Sequence, residues 1–224
     1  MKHEQFDRFV SVIVLGIAVA SFALIARRSF STPAVSGDMT RQARKIDNWS
    51  VKAKNVVRPV GGELRAPVVL TVFTDFECPF CRQLDSLVIE YSHKNPGAVR
   101  LQIVHMPLSI HMNAKLAAHA FECGVQQDRA NSVVHSLYRH QDVLGQIPWD
   151  SVAVSAGVPS IESFRACMLD SIPPEIELGK RLAKDLDLSV TPTVVVNDWL
   201  LSPAEPEYIF RSIEAVAAGR NPKP

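Results

Sequence analysis

Apolar residues recur along this chain with three distinct patterns, and each predicts a different kind of element. Val68-Val69-Leu70-Thr71-Val72-Phe73 is a continuous β-favouring run after Pro67, the pattern of a central strand buried on both faces. Leu84, Leu87, Val88 and Tyr91 then recur at i, i+3, i+4, i+7, which predicts a helix over Arg82 to Ser92. After the Asn95-Pro96-Gly97 turn, Val99 to Val104 reads as a second strand, and strand, helix, strand within some forty residues is a βαβ unit with parallel strands. From His111 to Leu188 the strand signals stop. Helical segments follow over 114–125, 130–143, 149–156, 160–169 and 174–186, before Thr193-Val194-Val195-Val196 returns to the strand pattern and Tyr208 to Ala218 closes as an amphipathic helix stopped by Gly219. The expected architecture is an α/β sheet interrupted by a helical insertion.

The third pattern lies at the start. Phe9 to Ala26 contains 18 residues without a charge, and as a helix it would reach about 27 Å, near the thickness of a bilayer core. It reads as a transmembrane anchor; cleavage after Ala18-Val19-Ala20 is the second choice, because apolar character continues through Ile25. Lys2 and Arg8 compete with Arg27 and Arg28, so charge alone slightly favours the latter side as cytoplasmic; the cysteine chemistry below favours the opposite orientation. The polar stretch 29–59 reads as a tether.

Composition adds mainly exclusions. The 224 residues carry 24 Lys+Arg against 23 Asp+Glu, a net charge of +1, which removes the electrostatic basis for binding nucleic acid. No Gly-rich phosphate loop is present, so no organic cofactor is implied. Four cysteines are too few for a scaffold that replaces a core, and their placement matters more than their number.

Cys78-Pro79-Phe80-Cys81 stands where the first strand hands over to a helix. Cys78 is then at a helix N-terminus, where unpaired amides and the helix dipole stabilise a thiolate, with Pro79 at the first helical position. Cys81 is one turn inward, within reach for a disulfide. The chemistry expected is two-thiol exchange, Cys78 as nucleophile and Cys81 as resolving partner. Zinc would need a second ligand pair at similar spacing, and the seven histidines supply none. His105, His111 and His119 read as ordinary packing or surface residues.

The run Asp75-Phe76-Glu77-Cys78-Pro79-Phe80-Cys81 resembles the D-F-x-C-P-x-C signature of DsbA-like thioredoxin-fold proteins. Met106 to His111 with the following alanines, and Val190-Thr191-Pro192-Thr193 as a cis-proline loop, are similar to further segments of that family. The resemblance implies an α/β thioredoxin-like fold with an inserted helical domain, here preceded by one N-terminal transmembrane helix. The organisation is then an anchor or signal segment over 1–28, a tether over 29–59, a DsbA-like domain over 60–219 with its insertion at about 111–188, and a tail over 220–224. The activity implied is disulfide exchange with exported thiol-containing proteins, most simply as an oxidant recycled by a membrane redox partner. The domain would face the periplasm or cell exterior from its anchor, or be released there by cleavage. Rival readings are a reductase or isomerase on the same fold, a holdase-type chaperone using an apolar groove at Phe76, Phe80 and Pro192, and metal delivery by the cysteine pair.

Two departures bear on redox poise. Strong oxidants of the family have His where this chain has Phe80, and commonly a buried Glu where it has Val72; a weaker oxidant is expected. Asp75 and Glu77 become the candidates for a proton relay, or else solvated loop carboxylates. Pro79, Phe80, Phe76, Thr191 and Pro192 are the expected motif and groove residues. Cys123 and Cys167 lie in two separate predicted helices; a structural disulfide, two buried thiols and a second redox relay are all open from the residues, and the resemblance favours the disulfide.

Overall fold

Seven successive β-favouring residues with no Gly or Pro make the centre of the sheet. The computed structural model describes residues 42–223, and the apolar segment from Phe9 to Ala26, with most of the expected tether, lies outside them. The chain order is β1 (Gln42–Lys45), α1 (Trp49–Ala53), β2 (Arg58–Gly62), β3 (Val68–Thr74), α2 (Pro79–Lys94), β4 (Val99–His105), α3 (Ala114–Val125), α4 (Ala130–Arg139), α5 (Trp149–Ser155), α6 (Ile161–Leu169), α7 (Pro174–Asp185), β5 (Thr193–Val196), β6 (Trp199–Ser202) and α8 (Pro206–Ala217). The sheet order is β1-β6-β5-β3-β4-β2. β3 and β4 are parallel in register from Val68↔Val99 to Thr74↔His105, and the other neighbours are antiparallel.

Successive strand residues point to opposite faces, and the core divides accordingly. Val68, Leu70, Val72, Val194 and Val196 pack with Leu84 and Val88 of α2 and with Tyr208, Ile209 and Ile213 of α8. Phe73 and Val195 turn the other way, onto Trp49 of α1 and Leu182 of α7. The helical insertion has its own core around Phe121, Val133, Leu137, Phe164 and Ile176, and this core is continuous with Phe76, Cys78 and Cys81. Asn197 turns the β5–β6 hairpin at φ 54°; its Oδ1 accepts from the Val69 amide at 2.7 Å, extending the ladder of β3. Among the described residues no helix is long and apolar enough to cross a membrane.

The tether expected over 29–59 is corrected within its described part. β1 pairs along β6, and Ile46, Trp49, Ala53 and Val56 are buried against the sheet. Polarity misled because β1 is an edge strand whose side chains are mostly exposed; its contribution is main-chain pairing, which leaves no apolar signature.

A buried ionic network ties the insertion to the sheet. Both carboxylate oxygens of Glu122 (α3) accept from Arg58 Nε (β2) at 3.0 Å, Glu122 Oε1 lies 2.7 Å from His105 Nε2 (β4), and Arg58 Nη2 reaches Glu175 (α7) at 2.8 Å. His105 is therefore a buried hydrogen-bonding partner of Glu122 and not an ordinary packing residue. Burial pushes the Glu122 carboxyl up, but His105 and the Arg58 guanidinium outweigh it and hold the pKa below the usual range. α7 approaches β4 backbone to backbone at Gly179, where an added Cβ would stand 2.3 Å from the His105 carbonyl oxygen. Gly179→Ala is expected to push α7 off the sheet and cost about 1–3 kcal/mol. A thermal melt settles this, since an unchanged midpoint would mean that the helix can move aside freely.

Candidate active site

β3 ends at Thr74, and the chain turns through Asp75, Phe76 and Glu77 to place Cys78 as the N-cap of α2, with Pro79 at its first position. The turn is closed by the Cys78 amide donating to Asp75 O at 3.1 Å. Pro79 suits this position because its missing N–H would have no helical partner there. The insertion holds the motif from above. Gln141, in a short 3₁₀ turn over Gln141–Val143, donates through Nε2 to Phe76 O at 2.7 Å and Cys78 O at 3.0 Å, and Asp142 accepts from Arg82 Nη1 at 2.8 Å. Sequence reasoning missed Gln141, reading 130–143 as one helix; the helix ends at Arg139, and no local pattern signals that a glutamine there reaches two distant carbonyls.

Cys78 and Cys81 are free thiols, both buried. The peptide bond Thr191-Pro192 is cis, and the Cys78 thiol donates to Thr191 O at 3.3 Å. The hydrogen bond from Cys81 lowers the Cys78 pKa most; burial opposes it, and the side chain of Thr191 with the amides of Cys81 and Phe80 lowers it further, to about 5. Cys81 is moved the other way: burial pushes its pKa well up, and its hydrogen bond and charge interaction with Cys78 add to that. One thiolate is stabilised and the other suppressed, the asymmetry that a nucleophile and a resolving thiol require.

The carboxylates flanking the motif anchor the loop that follows β4. Asp75, with a fully buried side chain, accepts at Oδ1 from the Glu77 amide and at Oδ2 from the Leu108 amide, each at 2.8 Å. Its Oδ2 also pairs with His111 Nδ1 at 2.8 Å. Glu77 accepts from the Asn113 amide at 2.5 Å and from Asn113 Nδ2 at 3.0 Å. Neither is a free solvated carboxylate. His111, expected to be ordinary packing, is instead part of the site. Burial alone would lower its pKa, but the hydrogen bond and charge of Asp75, then the charges of Cys78 and Glu77, raise it. A partner 36 residues away in sequence left no local spacing to detect.

The expected groove residues separate. Phe80 is exposed and Pro192 half-buried. Phe76, expected in the groove, is 1% exposed; its ring packs among His105, Phe121 and Tyr138 at centroid distances of 5.3–6.2 Å. It belongs to the core because β3 ends pointing into the insertion. Thr191 presents its carbonyl to Cys78, while its hydroxyl is buried. Ile110, Met112, Val190 and Phe80 are exposed apolar residues on the segments that hold the site, and beside them runs a cleft of about 580 Å³ whose wall includes Leu108, His111, Lys115, Lys184 and Ser189. Away from this surface, Cys123 and Cys167 are joined with S–S 1.98 Å, linking α3 to α6.

A four-residue dithiol motif capping a helix after the central strand, facing a cis-proline loop, defines the thioredoxin class of fold and site. Residues 54–215 match the family described as Thioredoxin, and the chain belongs to it. A solved structure of BdbD from Bacillus subtilis superposes with TM-score 0.60 at 23% identity, covering 75% of this chain and 95% of that one. A DsbA oxidoreductase from Xylella fastidiosa does so with TM-score 0.55 at 19% identity, covering 72% and 90%; these likenesses establish a DsbA-like thioredoxin fold. Among curated relatives, a Na(+)/H(+) antiporter NhaA 1 from Mycolicibacterium vanbaalenii is 31% identical over 165 residues, 70% of this chain but 26% of the antiporter. The chain thus spans about a quarter of that relative's length.

Proposed function

We propose that this protein is a thiol-disulfide oxidoreductase that donates disulfides to exported proteins through Cys78 and Cys81. The observation that carries the reading is the placement of the pair, Cys78 capping α2 against the Thr191 carbonyl and Cys81 buried one turn inward, an asymmetry that lowers the Cys78 pKa to about 5 and pushes that of Cys81 well up. In the oxidised enzyme a substrate thiolate attacks Cys78. The Cys78–Cys81 bond breaks, Cys81 takes the electron pair and a proton, and a mixed disulfide forms. A second substrate thiolate then attacks the substrate sulfur; Cys78 leaves as its stabilised thiolate, the substrate is oxidised and the enzyme reduced.

A low Cys78 pKa favours the reduced enzyme and so makes the disulfide more oxidising. Phe80 argues for a weaker oxidant than a histidine would, yet His111 stands within electrostatic reach of the sulfur, whose charge helps to raise the His111 pKa. An extended substrate strand would lie along Val190 and Thr191, with apolar side chains against Phe80, Ile110 and Met112 and acidic ones toward Lys115 and Lys184. The Cys123–Cys167 bond supports an oxidising compartment, hence a domain in the periplasm or outside the cell, held by the segment from Phe9 to Ala26. Recycling then falls to a membrane redox partner.

The test is the reduction potential of the full chain, read by equilibrating it in glutathione buffers and counting alkylated thiols. A value between about −120 and −180 mV is expected. A value near about −270 mV would place the protein with reductases and sink the donor reading.

A further inference from the structure

Exchange in either direction moves a proton on and off Cys81, a thiol in surroundings that penalise its charged form. Val72, six residues before Cys78 on β3, cannot take that proton. Glu77 turns both oxygens, and Asp75 its Oδ2, to the loop over Leu108 to Asn113, while Asp75 Oδ1 accepts from the Glu77 amide.

Behind Cys81 lies a cavity of about 20 Å³, enclosed by α2, α4, β3 and β4, whose polar lining consists of Thr74, Cys81, Asp85 and Tyr138. About 10–15 Å³ suffices for one water, and the hydroxyls of Thr74 and Tyr138, 2.5 Å apart, offer it partners. Asp85 is four residues beyond Cys81 on α2, so the two side chains lie on one helix face. It also lines a second, open cleft of about 240 Å³ on the other side, with His135, His93 and Asn131. Its Oδ2 is 3.3 Å from His135 Nδ1, and exposure rises outward from 11% for the Asp85 side chain to 35% for that of His135. One carboxylate therefore borders both the inner cavity and the surface cleft.

We propose that Asp85, backed by His135, relays the proton of Cys81 between the buried cavity and solvent. This rests on the exchange reaction proposed above. When Cys81 closes on a mixed disulfide at Cys78, its S–H proton passes across the cavity, which has room for one bridging water, to the Asp85 carboxylate and leaves by way of His135. The Cys81–Cys78 bond forms, the bond from Cys78 to the substrate sulfur breaks, and the departing thiolate is reprotonated from solvent; the dithiol is oxidised and the substrate disulfide reduced. In the opposite direction the proton returns to the Cys81 thiolate by the same groups. The titratable groups facing these two spaces are Cys81, Asp85 and His93 on α2 and Tyr138 and His135 on α4, with Cys78 beside Cys81. Tyr138 stays protonated, because burial and the charge of Cys81 push its pKa well above the usual range. β2, β3 and β4 contribute only uncharged side chains to the two linings.

The experiment mixes the reduced full chain with oxidised glutathione from pH 5 to 9, quenches in acid and resolves by mass two phases, glutathione addition to Cys78 and its release by Cys81. Asp85→Asn is expected to slow release by about 10²-fold at pH 7, with a rate that then climbs with hydroxide. Addition should be unchanged, and Asp85→Glu should restore most of the release. The relay is overturned if release in Asp85→Asn follows the wild-type pH profile, or if the Asn and Glu variants slow equally with a lowered melting temperature. A wild-type chain that never adds glutathione would instead overturn the exchange reading itself, and the relay with it.

Discussion

Reduced protein titrated with iodoacetamide is expected to alkylate at Cys78 with a midpoint near pH 5, while Cys81 stays unreactive into the alkaline range. Cys78→Ser should abolish both this fast alkylation and disulfide exchange, because the remaining thiol is buried and protonated. The same thiolate predicts how stability depends on pH. Its folded-state pKa is depressed, so its contribution is complete above the unfolded pKa of about 8.5 and is lost as pH falls through about 5. The disulfide form has no such group. The reduced form should therefore gain on the oxidised form between pH 5 and 8.5, by about 2–3 kcal/mol after discounting for solvent screening at the helix terminus. Melting both forms at pH 4 and pH 8 measures this. An alkylation midpoint near 8.5, or a melting difference independent of pH, would mean that the helix terminus does not activate Cys78.

Breaking the second cysteine pair is expected to be the most damaging change for stability. Cys123 and Cys167 are 44 positions apart, and in the chain-entropy model closing such a loop contributes about 4 kcal/mol. For a domain of this size that corresponds to a fall in melting temperature of roughly 8–16 °C in the Cys123→Ala, Cys167→Ala double variant. The loss should fall on the insertion first, since the bond ties α3 to α6 far from the sheet centre. Loosening there reaches the active site through Gln141 and Asp142, which belong to the insertion and hold the motif by hydrogen bonds. A double variant that melts within about 2 °C of the parent would show that the insertion core alone suffices.

Much of the framework was legible without coordinates because local chemistry dictated it. The run from Val68 to Phe73 has no alternative to a buried strand, the spacing of Leu84, Leu87, Val88 and Tyr91 makes one helix, and a Cys-Pro-Phe-Cys motif between them has to cap that helix. The parallel βαβ unit follows from the short connection, and β3 pairs β4 as that requires. The edges were not legible. β1 and β2 are four- and five-residue strands held by main-chain bonds to partners distant in sequence, and polarity marks β1 and the first two residues of β2 as tether. Phe76 has the same composition signal whether it lines a groove or fills a core.

The sequence by itself determined the sheet centre, the helical insertion and the two thiols at a helix terminus, since each depends on residues within one or two turns of each other. Only the tertiary structure decided the surroundings of those thiols. Thr191 O reaches Cys78 across 113 positions, Asp75 meets His111 across 36, and Asp85 stands between a buried cavity and a surface cleft through the packing of α2 on α4. A nucleophile can be named from its neighbours along the chain, but its charge state and proton path are set by groups that only folding brings within a few ångströms, where electrostatic interactions are strong enough to matter.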